Sequence, residues 1–151
     1  MIPTKPQKLA LAKDMHTLDC VVANMTLLYI KSKNYHWNVT GPNFYGLHKT
    51  FDGIQDGALE WADTIGERMR ALDMPVFASA QAYLGHAWFQ EGEMNLSDVE
   101  MVKDMTETLS VTSKHLMTMI ESGEFDEVTS NILQELGAFI DKQNYFVKSN
   151  L

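Results

Sequence analysis

The chain has 151 residues, a formal net charge of −8 at pH 7, 45% apolar residues and a single cysteine. That length suits one domain, residues 1–151, with a core of its own. The charge argues against a general nucleic-acid or anionic-membrane surface, where Lys and Arg neutralise phosphates, and favours cations as ligands; one cysteine excludes an internal disulfide and fits a reducing, cytoplasmic compartment.

The opening stretch, MIPTKPQKLALAKDM, carries lysines but no apolar leader, and no run approaches the roughly 20 apolar residues that span a bilayer. Leu18, Val21, Val22, Met25, Leu28 and Tyr29 recur at three- and four-residue steps, which predicts a long first helix ending near His36, with Cys20 in its core. After NVTGPN the series Phe44, Leu47, Phe51, Ile54, Ala58, Trp61, Ile65, Met69 and Leu72 predicts a second long helix, capped by Asn43. Residues 73–94 begin with a proline stop at Pro75 and contain Gly85 and Gly92, so they read as a long connection with one short helix around 79–87.

Ser97 and Glu100 form a capping box ahead of Val99, Val102, Thr106, Leu109, Leu116 and Ile120, the stripe of a third long helix. ESGEFDE turns the chain, and Val128, Ile132, Leu136, Phe139, Ile140 and Phe146 mark the fourth. No segment reads as strand. The fold class is therefore all-α, a four-helix bundle with its long connection between the second and third helices. Met69, Met101 and Met117 read as adaptable core filler, and His16, His86 and His115 show no partner pattern.

The second helix carries His48 and Asp52, then Asp63 and Glu67, each pair four residues apart and so on neighbouring turns. At about 100° per residue all four share one face, away from the helix's own apolar stripe. Asp52 and Asp63 lie about 16 Å apart along the axis, too far for one ion with bonds of about 2.1 Å. An antiparallel copy of the same helix, related by a two-fold axis near Gly57 and Ala58, would bring Asp63 and Glu67 beside the partner's His48 and Asp52. Gly53, Gly57 and Ala58 would admit that copy, and Leu59 and Ala62 would meet it. His36 and His48 are each six residues from Pro42, hence level across the hairpin. Singly, acids and histidines on an outward face are ordinarily just solvated. Five of them meeting one symmetric condition favour a metal centre, and two imidazoles with three carboxylates suit Fe(II), with Zn(II), Co(II) or Mn(II) as substitutes.

YHWNVTGPNFYGLHKTFD, followed by WADTIGERMRALDMP, resembles the Dps family of small bacterial ferritin-like proteins, also called miniferritins. The family's ligand pattern, His-x11-His-x3-Asp-x10-Asp-x3-Glu, is occupied by His36, His48, Asp52, Asp63 and Glu67. The resemblance implies a hollow dodecamer of ferritin-like four-helix subunits, each with a short extra helix, and a di-iron ferroxidase centre shared across two-fold interfaces. It implies that Fe(II) enters through acidic pores, is oxidised by hydrogen peroxide in preference to O2, and is stored as ferric mineral, protecting against oxidative damage. His36, Asp63 and Glu67 would be the tighter ligands, with His48 and Asp52 completing a second position.

Trp37 would sit beside the centre and intercept stray oxidising equivalents, while Tyr145 stands where the family often has tryptophan. Asp126, Glu127 and Glu121 are the pore candidates, although Asp126 and Glu127 equally suit the positive start of a helix, and Ser122 and Asn131 replace aspartates of some relatives. Asp56 falls within the ligand arc and reads as a solvated acid. Two other functions compete. One is nucleoid coating, which in the family uses a lysine-rich tail; here Lys5, Lys8 and Lys13 are the only N-terminal cations, so DNA binding is expected to be weak or absent at physiological salt unless Mg²⁺ bridges the surfaces. The other is a helical oligomer with an incidental metal site.

Overall fold

Five helices arrange residues 14–151, the part of the chain that the computed structural model describes: α1 (Leu18–Asn38), α2 (Phe44–Ala71), α3 (Ala80–Gly85), α4 (Asp98–Glu121) and α5 (Glu127–Lys148). The three N-terminal lysines lie outside the described residues. α1 packs chiefly on α2 and α4 on α5, forming two helical hairpins; α2 also meets α5, and the short α3 lies on α1. Among the described residues no helix is long and apolar enough to cross a membrane.

The four long helices start and stop where the periodicity places them, and polar side chains explain most of the starts. Thr17 Oγ1 accepts from Cys20 N–H at 3.3 Å, Ser97 Oγ from Glu100 N–H at 3.1 Å and Asp126 from Thr129 N–H at 2.8 Å, each satisfying a first-turn donor that the helix itself leaves open. Asn43 differs: it holds the cap position of α2, but its side chain makes no capping hydrogen bond. The entry is instead a tight turn in which Phe44 N–H donates to the Gly41 carbonyl at 3.1 Å, with Gly41 at φ +107°, a conformation that a Cβ would strain.

The core runs from Val21, Met25 and Leu28 through Phe51, Ile54 and Ile65 to Met105, Leu109, Leu136 and Ile140. Cys20 is buried there, as are Met69 and Met101. Five members of the expected stripes are not: Phe44, Leu72, Val99, Val128 and Phe146 lie exposed, as does Met117. Leu133 and Val147 take the buried places on α5. Helical spacing identifies a face about 100° wide, and a residue at its edge falls in or out according to how its neighbours pack.

A charge also lies inside. Lys31 is only 2% exposed, and its ammonium bonds Asp104 at 2.8 Å and Thr108 Oγ1 at 2.9 Å. The buried Tyr35 hydroxyl donates to the same carboxylate at 2.5 Å, so α1 and α4 are joined by a satisfied polar cluster. Burial, then the bond to Asp104, push the Tyr35 phenol well above its ordinary value.

Asn24 does comparable work between α1 and the long connection. Its amide donates to the Cys20 carbonyl at 2.8 Å and to the His86 carbonyl at 2.9 Å, and its oxygen accepts from Trp88 N–H at 2.7 Å.

One expectation for α2 is corrected. Gly57 and Ala58 were to face a second copy, but Ala58 is fully buried in its own subunit, and a Cβ on Gly57 would lie 2.2 Å from Cζ of Phe139. Gly57 serves the α2–α5 contact and Ala58 the core. Leu59, by contrast, is 52% exposed.

Candidate metal centre

His36 lies in the last turns of α1 and His48 near the start of α2, where the short 39–43 turn sets them side by side. Their rings stack with centroids 3.7 Å apart and planes 16° from parallel. Each ring is held by the other residue's backbone: His36 Nδ1 is 2.8 Å from the His48 carbonyl oxygen, and His48 Nδ1 is 2.8 Å from the His36 carbonyl oxygen. A carbonyl only accepts, so both Nδ1 atoms must carry the proton. In the neutral rings the Nε2 lone pairs are then free for a cation, the orientation that a metal-binding histidine usually obtains from a neighbouring acceptor. Phe44 closes the far side of His48, ring to ring at 5.0 Å.

Asp52, one turn along α2, brings Oδ1 to 3.8 Å from His36 Nε2. The same oxygen accepts from Gln55 Nε2 at 3.0 Å and lies 3.8 Å from the Lys33 ammonium, which restrain it beside the imidazoles. Trp37 follows His36 but points outward, 68% exposed, with the Lys33 ammonium 5.5 Å from its ring centre.

Asp63 and Glu67 stand together further along α2, both exposed. A hydrogen bond with Asp63, then that residue's charge, push the Glu67 carboxyl above the ordinary glutamate range. A proton on Glu67 bridges to Asp63, and when both carboxyls are ionised the pair is disposed to hold a cation in its place. They line an open groove of about 860 Å³ whose other walls include Val22 and Thr26 from α1, Leu59 from α2, and Val76 and Tyr83 from the connection.

The five residues thus fall into two half-sets, His36/His48/Asp52 where α1 meets the start of α2 and Asp63/Glu67 further along α2. Among the described residues, no three His, Cys, Asp or Glu side chains of one chain converge closely enough to hold a metal ion.

The remaining acids are placed as follows. Asp56 is exposed and bonded by Gln55 Nε2. Asp126 is committed to its helix start: it accepts from Thr129 N–H and, at 2.7 Å, from Thr129 Oγ1, and Arg68 bonds it at 3.1 Å. The Thr129 bonds, then Arg68, hold its carboxyl below the usual range. Glu121 and Glu127 are exposed at the end of α4 and the start of α5. Tyr145 is exposed, its ring 5.5 Å from that of Phe146.

Sequence reasoning missed the pairing of His16 with His115, which are 99 residues apart with no shared motif, and the mutual backbone bonds of His36 and His48. Level placement across the Pro42 hairpin was the only available signal for the second.

Residues 16–151 match the family model for a ferritin-like domain. The chain is 30% identical to the general stress protein 20U of Bacillus subtilis over 86% of its own length and 91% of that protein's. It is also 30% identical to the DNA protection during starvation protein of Brevibacillus brevis, covering 86% and 89%. The crystal structure of Dps from Staphylococcus aureus superposes with a TM-score of 0.85 at 27% identity, covering 99% of this chain and 98% of that one. Four antiparallel-type helices with a short extra helix in the long connection define a ferritin-like subunit, and the chain belongs to the Dps family of these proteins.

Proposed function

We propose that this protein oxidises and stores iron: a ferroxidase whose centre forms when two copies bring unlike half-sets together. Asp63 and Glu67 of one chain would complete a site with His36, His48 and Asp52 of its neighbour, two such sites per two-fold interface, within a hollow dodecamer of single-domain subunits. Fe(II) is the substrate and its ferric mineral the cargo; Zn(II), Co(II) and Mn(II) would occupy the same donors without turnover of this kind. The observation that carries the reading is the division itself. One half-set offers two imidazole Nε2 atoms with their tautomers fixed, the other offers two carboxylates that repel each other without a cation, and neither is sufficient alone.

Within that centre the chain's groups have separate tasks. The imidazoles supply neutral donors whose direction is set before iron arrives. The carboxylates supply charge, which favours the ferric product over the ferrous substrate. Two Fe(II) give two electrons to one hydrogen peroxide, which takes up two protons and leaves as two waters, so no one-electron oxygen radical need be released. Trp37, beside His36, would take up oxidising equivalents that escape. Glu121 and Glu127 are the candidates for an acidic entry path, whereas Asp126 is occupied at its cap.

The name of the Brevibacillus relative raises a second reading, protection of DNA by direct coating. The net charge of −8 favours protection by removal of iron and peroxide in the cytoplasm instead. The test is the oxidation of added Fe(II), by peroxide and by air, followed as ferric absorbance in wild type and in Asp63→Ala/Glu67→Ala. Loss of the fast phase is expected; an unchanged rate in the double variant would end the proposal. A plasmid gel shift by the purified protein at physiological salt would revive direct coating.

A further inference from the structure

Away from the iron centre, a second pair of imidazoles is built into the subunit. His16 stands in the segment before α1 and His115 in α4, and His16 Nε2 lies 3.0 Å from His115 Nδ1. Their rings are tilted by 39° with centroids 5.1 Å apart. Trp88, from the long connection, lies flat on His115 at 4.7 Å and 9°, and its indole N–H donates to the Met15 carbonyl at 2.8 Å. Asp14 accepts from the backbone N–H of His16 at 3.0 Å, which restrains the segment before α1. Three separate parts of the chain therefore hold two ring nitrogens face to face.

We infer that His16 and His115 form a second cation site, selective for a divalent ion of tetragonal preference, Cu(II) or Ni(II), and independent of the iron centre. With metal–nitrogen bonds of about 2.0–2.1 Å, two nitrogens 3.0 Å apart subtend roughly 90° at the ion. That is the cis angle of tetragonal coordination, whereas a tetrahedral ion would need the nitrogens to open to about 3.3–3.4 Å. In the free pair one facing nitrogen donates to the other; to take the ion that ring shifts its proton to the nitrogen turned away, so a neutral pair binds without net proton loss. The ion sits to one side of the line joining the nitrogens, and the rings must pivot to address it. Trp88 stacks flat on the face of His115 and leaves its edge to the ion, and His16 lies outside the helices. Burial, then the neighbouring His16, hold His115 below its ordinary value, which keeps that ring neutral at physiological pH. Water is suited to the remaining positions. Such an ion would tie the segment before α1 to α4.

The test adds Cu(II) alone to the full-length protein in a His36→Gln/His48→Gln background, which takes the imidazoles of the iron centre out of the count. Equilibrium dialysis should find one Cu(II) per chain at this pair. Electron paramagnetic resonance should show coupling to two nitrogens, and tryptophan quenching should disappear on Trp88→Phe. His16→Gln, in the segment outside the helices, should weaken that binding at least tenfold with unchanged circular dichroism and particle size, and His115→Gln should do the same. A smaller change in His16→Gln, or a signal without two-nitrogen coupling, overturns the inference. Because iron oxidation is measured separately on the wild-type centre, either proposal can fail while the other stands.

Discussion

Gly57 offers the sharpest test of how α2 and α5 fit together. An alanine there would place Cβ 2.2 Å from Cζ and 2.3 Å from Cε1 of Phe139. Ordinary contact begins near 3.4 Å, so the half-buried ring or the helix must yield by more than 1 Å. Overpacking of this kind costs about 1–3 kcal/mol, against which alanine recovers about 1 kcal/mol of helix propensity in mid-helix. The expected balance for Gly57→Ala is a loss of up to about 2 kcal/mol. Gly137, in α5, gives the control: a Cβ there meets nothing within 4 Å, so Gly137→Ala should gain up to about 1 kcal/mol. Guanidinium unfolding followed by circular dichroism, at one fixed chain concentration because assembly contributes to stability, should therefore give midpoints shifted in opposite directions. Gly57→Ala/Phe139→Leu should recover part of the loss by removing the ring. If Gly57→Ala proved as stable as Gly137→Ala, the packing of α2 on α5 described above would be wrong.

His36→Gln and His48→Gln should each slow Fe(II) oxidation by a similar factor, and the double variant should be little slower than either, because the two rings stack on each other and serve one half-set that is disabled when either is lost; stopped-flow rates that multiply would contradict this coupling. Glu67 takes up a proton more readily in the folded chain than in the unfolded one, so ionising it as pH rises works against the fold, and a bound divalent ion relieves that. Co(II) affinity should accordingly fall as pH drops through a value above the ordinary glutamate range, and the stabilisation that Co(II) confers in a melting experiment should be larger at pH 7 than at pH 5; a flat profile, or one retained in Asp63→Asn, would count against the shared proton. Asp104→Ala strips the buried Lys31 ammonium of its counter-charge and should cost up to about 3 kcal/mol in denaturant unfolding, tempered by the partial exposure of Asp104; a loss below about 0.5 kcal/mol would show that Lys31 does not depend on it.

Helix number, bounds and order were legible because each long helix has a near-unbroken apolar period and three of the four have a side chain that bonds the first turn. The same wheel placed His48, Asp52, Asp63 and Glu67 on one outward face, and the hairpin centre at Pro42 set His36 level with His48. What could not be read were facts decided by contact between elements. Whether Gly57 serves a neighbour or its own α5 depends on where Phe139 points, and a wheel of α2 alone contains no Phe139. Val128 and Phe146 repeat at helical spacing yet lie outside, because Leu133 and Val147 fill the space on α5 facing the core. Asn43 is a good capping residue by type, but the Gly41 turn already supplies the bond that opens α2. The tautomers of His36 and His48 rest on carbonyls twelve residues away, which no local pattern specifies.

The amide of Asn24 fastens a strap as well as filling a place in the interior. Aspartate would lack the two donors, leucine would remove both donors and the acceptor of the Trp88 N–H, and glutamine would overreach, so none of the usual replacements can act as this rivet. The strap it pins also carries Val76 and Tyr83, which form one bank of the channel beside Asp63 and Glu67. A residue with no access to solvent thereby fastens the segment that borders the surface where the acids stand, and a change at position 24 would reach that surface through the strap.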